Sequence, residues 1–154
     1  SDNLQITSTS ERVVGYQRAL SDAGLPLDPR LLGVGDSSRE SARTVAARIL
    51  AMHDRPTALF TTDNFMTEGA LQAIREARLS VPADVSLVGF DDFPETSFID
   101  PAITVVAQPI AEMGEEAARL LLARLHGDRS APQHVNLVAE LIVRNSTAAP
   151  PSRR

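Results

Sequence analysis

Three short polar clusters each follow an apolar run: Asp36-Ser37-Ser38 after Leu31-Leu32-Gly33-Val34, Thr62-Asp63-Asn64 after Thr57-Ala58-Leu59-Phe60-Thr61, and Asp91-Asp92 after residues 85–90. With Arg12, they supply carboxylate and amide acceptors, amide donors and a rigid guanidinium fork, a set that matches a ring of hydroxyls such as a sugar presents. Asp and Ser after a strand are also ordinary helix caps, and for Asp36 and Ser37 capping is the simpler expectation. Asp91-Asp92 differ, because two adjacent acids here follow an apolar strand with no evident helix to cap. That points to a functional role.

Other chemistry is poorly supplied. The chain has no cysteine, which excludes disulfides and thiol catalysis. His53, His126 and His134 fall near expected helix ends or in a loop, and none has a second ligand at metal-binding spacing; they are expected to be solvated or to cap. Gly33 and Gly35 lack the third glycine and distant acid of a dinucleotide fingerprint, and no Gly-x-Ser-x-Gly elbow occurs. An enzyme using Asp91 or Asp92 as metal ligand or phospho-acceptor lacks an evident lysine partner or histidine base. No catalysis, cofactor or metal is therefore expected.

The elements that would position these clusters can be read from periodicity. Ser8 and Glu11 have capping-box spacing, and Val13, Tyr16, Leu20 and Ala23 continue at helical intervals to Gly24. Leu31-Leu32-Gly33-Val34 reads as a buried strand. Ser37 and Glu40 open a second helix through Ala42, Val45, Ala46, Ile49 and Leu50 to Arg55-Pro56. Residues 57–61 read as a strand, 65–78 as a helix and 85–90 as a strand. Such alternation predicts an α/β fold with a doubly wound parallel sheet covered on both faces and right-handed crossovers. In such a sheet, ligands bind beyond the carboxyl ends of the strands. All the polar clusters then share one edge.

After Asp92 the rhythm changes. Residues 93–101 read as a loop, 103–107 as a strand, and Pro109 as the first residue of a helix carrying Ile110, Met113, Ala117, Leu120 and Leu121 to Gly127. Residues 135–143 read as a further strand and 148–154 as a frayed tail. The first helix follows a polar stretch with no strand before it, so a strand upstream of Ser1 is expected to be missing from this chain.

Length and charge bound the function. At 154 residues the chain is one domain's worth, able to bury about 70% of its unfolded surface. Its 43% hydrophobic and 23% charged residues are those of an ordinary globular protein. The formal charge of −5 gives no attractive field for a phosphate backbone, so this segment is not expected to grip nucleic acid itself. No apolar run approaches the ~20 residues of a membrane helix, and the N-terminus has neither basic start nor apolar stretch. A cytoplasmic location is expected.

Four segments resemble lactose-repressor (LacI/GalR) family regulators: Glu11-Arg12-Val13-Val14-Gly15-Tyr16, Pro56-Thr57-Ala58-Leu59-Phe60-Thr61-Thr62-Asp63-Asn64, Val85-Ser86-Leu87-Val88-Gly89-Phe90-Asp91-Asp92, and Ile103-Thr104-Val105-Val106-Ala107-Gln108-Pro109. The likeness runs in order and spacing to Asn145-Ser146-Thr147. It implies a periplasmic-binding-protein-like (type I) lobe, incomplete in this chain, within a two-lobed core. Residues 1–107 would form the C-terminal lobe, 108–127 a crossover helix belonging to the N-terminal lobe, 128–147 the return strand, and 148–154 a tail. It also implies a small-molecule effector, often a sugar, held partly by Arg12, Asp63, Asp91 and Gln108. Effector binding would be coupled to operator binding by a DNA-reading headpiece outside this chain.

A homodimer is implied as well, for which the third helix offers Leu71, Ile74 and Leu79. The sequence departs from the family at two places. Asp63 stands where asparagine is common, which adds negative charge and favours a hydroxyl-rich or cationic ligand. Ser37-Ser38 replace an aromatic or large apolar side chain, removing ring stacking from this lobe. An exported sugar-binding protein of a transporter would share the fold and is the alternative.

Overall fold

The structure, a computed structural model, describes residues 7–36 and 38–150. The chain runs α1 (Thr7–Asp22), a 3-10 turn (Pro29–Leu31), α2 (Arg39–Leu50), β1 (Ala58–Phe60), α3 (Asn64–Glu76), β2 (Ser86–Phe90), α4 (Glu95–Phe98), β3 (Thr104–Ala107), α5 (Ile110–Leu125) and β4 (Glu140–Ile142). Among the described residues the sheet has the order β1-β2-β3-β4. β1, β2 and β3 are parallel, as the alternation of strands and helices requires. β4 is antiparallel to β3, with Val105 opposite Ile142, so the sheet is mixed.

The helices start where short polar side chains close their first turn. Ser38, in extended conformation, accepts from the Ser41 N–H at 3.1 Å and caps α2. This is one residue beyond the expected cap, and Ser37 itself lies outside the described residues. Asp63 does the same for α3 through Met66 N–H at 2.8 Å. Each cap satisfies one of the backbone donors that a helix N-terminus leaves unpaired. α1 begins at Thr7, so Ser8 lies inside the first turn rather than before it.

The core lies between the sheet and the α2–α3 pair, around Ala46, Leu50, Ala70, Ala73, Ile74, Val85, Leu87, Ile103 and Val105. Small residues let the two helices approach closely. A Cβ added at Gly69 would lie 2.5 Å from both the Ala42 Cβ and the Arg39 carbonyl oxygen, so only glycine fits the crossing. At the rim, Arg39 pairs with Glu68, and Arg43 with Glu40 and Glu76. Ile74 is in this core at 1% exposure, and Leu71 and Leu79 pack against it. Ile74 is therefore not available to an interface between copies, while Leu71, and Leu79 just beyond α3, are only partly covered.

Three other expectations change. Leu31-Leu32-Gly33-Val34 is not a strand: it holds the end of the 3-10 turn and then an irregular stretch. A cavity of about 130 Å³ separates this stretch from β1. Among the described residues no sheet includes it. The predicted strand over 135–143 shrinks to Glu140–Ile142, because β3 offers only four residues to pair with. The stretch 93–101, read as a loop, contains the single turn α4.

α5 buries none of its residues, leaving Ile110, Met113, Leu121, Leu122 and Leu125 exposed. The segment after β4 returns under the sheet. The buried Ser146 hydroxyl accepts from Thr104 N–H at 2.8 Å and donates to the Leu87 carbonyl at 2.5 Å, stitching β2 to β3.

Candidate functional site

Because β1, β2 and β3 are parallel, their carboxyl ends share one edge, and the residues just beyond them are Thr61-Thr62-Asp63, Asp91 and Gln108. Arg12 reaches this edge from the second turn of α1. Its Nη1 donates to the Thr62 carbonyl at 2.7 Å, and its guanidinium carbon lies 3.8 Å from the centroid of the Phe90 ring. One side chain thus clasps the ends of β1 and β2. Stacking on an aromatic face and a charged donor to a carbonyl are the two contacts a planar guanidinium makes best.

Asp91 takes the left-handed conformation with φ of 73°. Aspartate is among the few non-glycine residues that tolerate it. Its N–H donates to the Val106 carbonyl at 2.9 Å, and its carboxylate accepts from Gln108 Nε2 at 2.6 Å. The structure therefore joins Arg12, Phe90, Asp91 and Gln108 in one continuous line across three strand ends. Asp63 follows Thr62 on the same edge, but one carboxylate oxygen is committed to capping α3.

Asp92 turns the other way. Its carboxylate accepts from Arg144 Nη2 at 2.8 Å and from the Thr96 hydroxyl at 2.6 Å. The Arg144 bond, reinforced by Thr96, holds the Asp92 carboxyl below the usual carboxylate range against the opposing effect of burial. The two acids that look equivalent in sequence are thus divided: Asp91 faces the strand-end edge and Asp92 is an internal tie.

Asp36 accepts from the Ser38 hydroxyl at 2.8 Å, which with Ser41 lowers its pKa, and so serves the start of α2 as expected. Phe90 and Arg144 were not singled out in the sequence. Phe90 reads as one more apolar strand residue, and Arg144 lies 52 positions from Asp92.

The cavity of about 130 Å³ does not reach Asp91 or Gln108. It follows β1, the edge strand among the described residues, walled by α1 at Val13 and Tyr16, by α2 at Ala46 and Ile49, and by Leu32. Thr57 O and Thr61 N bond to β2, so the alternating Ala58 and Phe60 turn their backbone groups toward the cavity. The Thr62 hydroxyl, in a residue 4% exposed, has no hydrogen-bond partner among the described residues and lines the same space. This cavity lies beside β1, whereas the polar site opens beyond the strand ends.

A sheet of this topology with polar groups gathered at its carboxyl edge is a ligand-binding lobe of the periplasmic-binding-protein type. Residues 5–147 match the periplasmic binding protein-like domain family, and the chain belongs to it. It is 37% identical over 140 residues to the HTH-type transcriptional repressor CytR of Escherichia coli strain K12, a match that covers 91% of this chain and 41% of CytR.

Among solved structures it is similar to the transcriptional regulator CelR in complex with cellobiose, with TM-score 0.83, 35% identity, and coverage of 89% of this chain and 42% of CelR. It is also similar to a LacI-family regulatory protein from Chloroflexus aggregans, with TM-score 0.81, 33% identity, and coverage of 90% and 50%. The chain stands among LacI-family transcription regulators, as its motifs imply, and spans between two fifths and one half of these relatives' lengths. Among the described residues no helix is long and apolar enough to cross a membrane.

Proposed function

We propose that this chain is the effector-sensing part of a DNA-binding transcription regulator of the cytoplasm. It holds one wall of a cleft for a small polyhydroxylated molecule, most simply a sugar. The observation that carries the reading is the line Arg12, Phe90, Asp91, Gln108 across three parallel strand ends. Asp91 offers acceptor lone pairs, Gln108 a donor and an acceptor, and Arg12 further donors, a set that recognises neighbouring hydroxyls in pairs. Asp63, with one oxygen engaged in the cap, contributes from the side. The set suits binding, in keeping with relatives that are transcription regulators. The CelR relative is a complex with cellobiose, which supports a sugar.

The opposite wall, the DNA-reading headpiece and a homodimer contact belong to the whole protein. Three observations support this division. The exposed apolar side of α5 suits residues 108–127 to a second lobe, with 128–147 as the return. The outward backbone groups of Ala58 and Phe60, and the Thr62 hydroxyl without a partner among the described residues, suit a further strand beside β1. The charge of −5 suits a segment that leaves DNA contact to another part.

Effector binding that prefers one arrangement of the lobes would shift the population that binds operator DNA. Titration calorimetry of the full-length protein against a panel including cellobiose and ribose tests the reading. The expected result is binding of at least one sugar near micromolar Kd, about −8 kcal/mol, lost in Asp91→Asn. A protein that binds none of the panel at millimolar concentration, or an Asp91→Asn variant that binds as the wild type does, overturns it.

A further inference from the structure

Asp91 and Asp92 are consecutive, yet their side chains are tied to the two ends of the α5 excursion. Asp91 is bonded to Gln108, where the chain leaves β3 for α5. Asp92 is bonded to Arg144, two residues beyond β4, where the chain has come back. Arg144 is the hub of this second tie. Its Nη2 donates to Asp92 at 2.8 Å, its Nη1 to the Thr96 hydroxyl at 3.0 Å and to the Ile103 carbonyl at 2.9 Å, and its backbone N–H to Thr104 Oγ1 at 2.9 Å. Thr96 is fully buried, and the Arg144 and Asp92 side chains are 17% and 30% exposed. The planar guanidinium reaches Asp92 after β2, Thr96 in α4 and the Ile103 carbonyl just before β3 at once, which a lysine ammonium cannot do in one geometry.

The neighbouring Asp91 has a backbone that its surroundings must hold. A left-handed aspartate is sparsely populated in a free chain, and no hairpin or long helix fixes it here. Two constraints flank it: its own N–H on Val106, and the grip of Arg144 on Asp92.

We propose that Arg144 is a positioning residue for the effector site: by clamping Asp92 to β3 and Thr96, it sets the Asp91 turn and aims the Asp91 carboxylate at Gln108 and the ligand. Arg144 makes none of the site's own contacts and acts only through Asp92. Because the clamp lies on the segment returning from α5, a shift of that segment relative to β2 reaches Asp91 through Arg144 as well as through Gln108. The site then senses where the excursion lies, and ligand held by Asp91 resists its displacement. The role as effector site rests on the function proposed above; the positioning of Asp91 does not.

The test uses the full-length protein with Arg144→Lys, Asp92→Asn and the exchanged pair Asp92→Arg with Arg144→Asp. Amide hydrogen exchange and the Gln108 side-chain amide resonance are the readouts. Arg144→Lys and Asp92→Asn are expected to speed exchange at residues 91–93 on the order of tenfold, with protection across α2 and α3 unchanged. The Gln108 Nε2 resonance is expected to shift, although Gln108 touches neither replaced residue, and the exchanged pair is expected to recover part of both effects.

Unchanged exchange at 91–93 with an unshifted Gln108 signal overturns the proposal. So does a uniform loss of protection in both single variants, which marks a general stabilising contact. Calorimetry with cellobiose and ribose separates the two readings. If wild type binds neither, the sugar assignment fails while exchange still decides the clamp; if it binds one, Arg144→Lys is expected to weaken that binding several-fold.

Discussion

The Arg12 guanidinium lies 3.8 Å from the Phe90 ring centroid while its Nη1 holds the Thr62 carbonyl at 2.7 Å. A helix that buries little else, chiefly Thr9 and Val13, is thereby fastened to two strand ends. Arg12→Lys keeps the charge but loses the fork and the stacking plane, each worth about 0.5–2 kcal/mol. Thermal melts of Arg12→Lys and Phe90→Leu are expected to fall by similar amounts, and the double variant by less than their sum, since both remove one contact. Fully additive losses would show that the two side chains act independently.

Asp91 combines a strained backbone with a polar role, and two substitutions separate them. Asn accepts the left-handed conformation, so Asp91→Asn is expected to change stability by less than about 1 kcal/mol while abolishing sugar binding. Asp91→Ala loses the short polar side chain that makes a φ of 73° tolerable in Asp and Asn, and should destabilise by about 1 kcal/mol more. Denaturant unfolding beside calorimetry checks both. Equal destabilisation by Asn and Ala would mean that the backbone there is not under strain.

The Asp92–Arg144 pair has a pH signature. Its Asp92 carboxyl is lowered first by the Arg144 bond, so the folded form binds its proton less readily than the unfolded form does. Its contribution is therefore complete above the unfolded pKa, near 3.9, and is lost as pH falls through the folded value below it. The stability difference between wild type and Asp92→Asn is expected to be flat from pH 7 to about 4.5 and to shrink below pH 4. A difference that stays constant to pH 2 would assign the effect to packing rather than charge.

Gly69 permits the α2–α3 contact. In Gly69→Ala the new methyl would meet backbone at 2.5 Å, which no rotamer change relieves. The expected cost is about 1–3 kcal/mol despite the better helix propensity of alanine. Urea unfolding measures it, and a stabilised variant would show that the helices can separate freely.

α5 gives the opposite expectation. Because Leu121 and Leu122 are exposed, replacing both by Glu in these 154 residues should alter stability by no more than about 0.5 kcal/mol per site. The same change should reduce self-association seen by sedimentation, since this stripe is the chain's uncovered apolar face. The proposed packing of α5 against a second lobe predicts that the same change is strongly destabilising in the full-length protein. Equal tolerance in both forms would place α5 on the protein surface.

Much of this was legible along the chain. Helical spacing located α2, α3 and α5, apolar runs located β1, β2 and β3, and their alternation required a parallel sheet. From that topology alone, Thr62-Asp63 and Asp91 had to share an edge, while Gln108 followed only from the family resemblance. These features depend on contacts between near neighbours in sequence, where side-chain period and backbone geometry leave few choices.

What only the tertiary structure decided depends on partners far apart or absent. Whether Leu32 to Val34 lies in a sheet turns on contacts outside the segment, and among the described residues it runs irregularly beside a cavity. The antiparallel direction of β4 and the division of Asp91 from Asp92 come from pairings across 33 to 52 positions, from Ala107 with Glu140 to Asp92 with Arg144. No local pattern marks one of two adjacent aspartates as a tie and the other as a site. Their side chains leave consecutive residues in different directions, and the left-handed turn at Asp91 that separates them is held by groups the sequence places elsewhere.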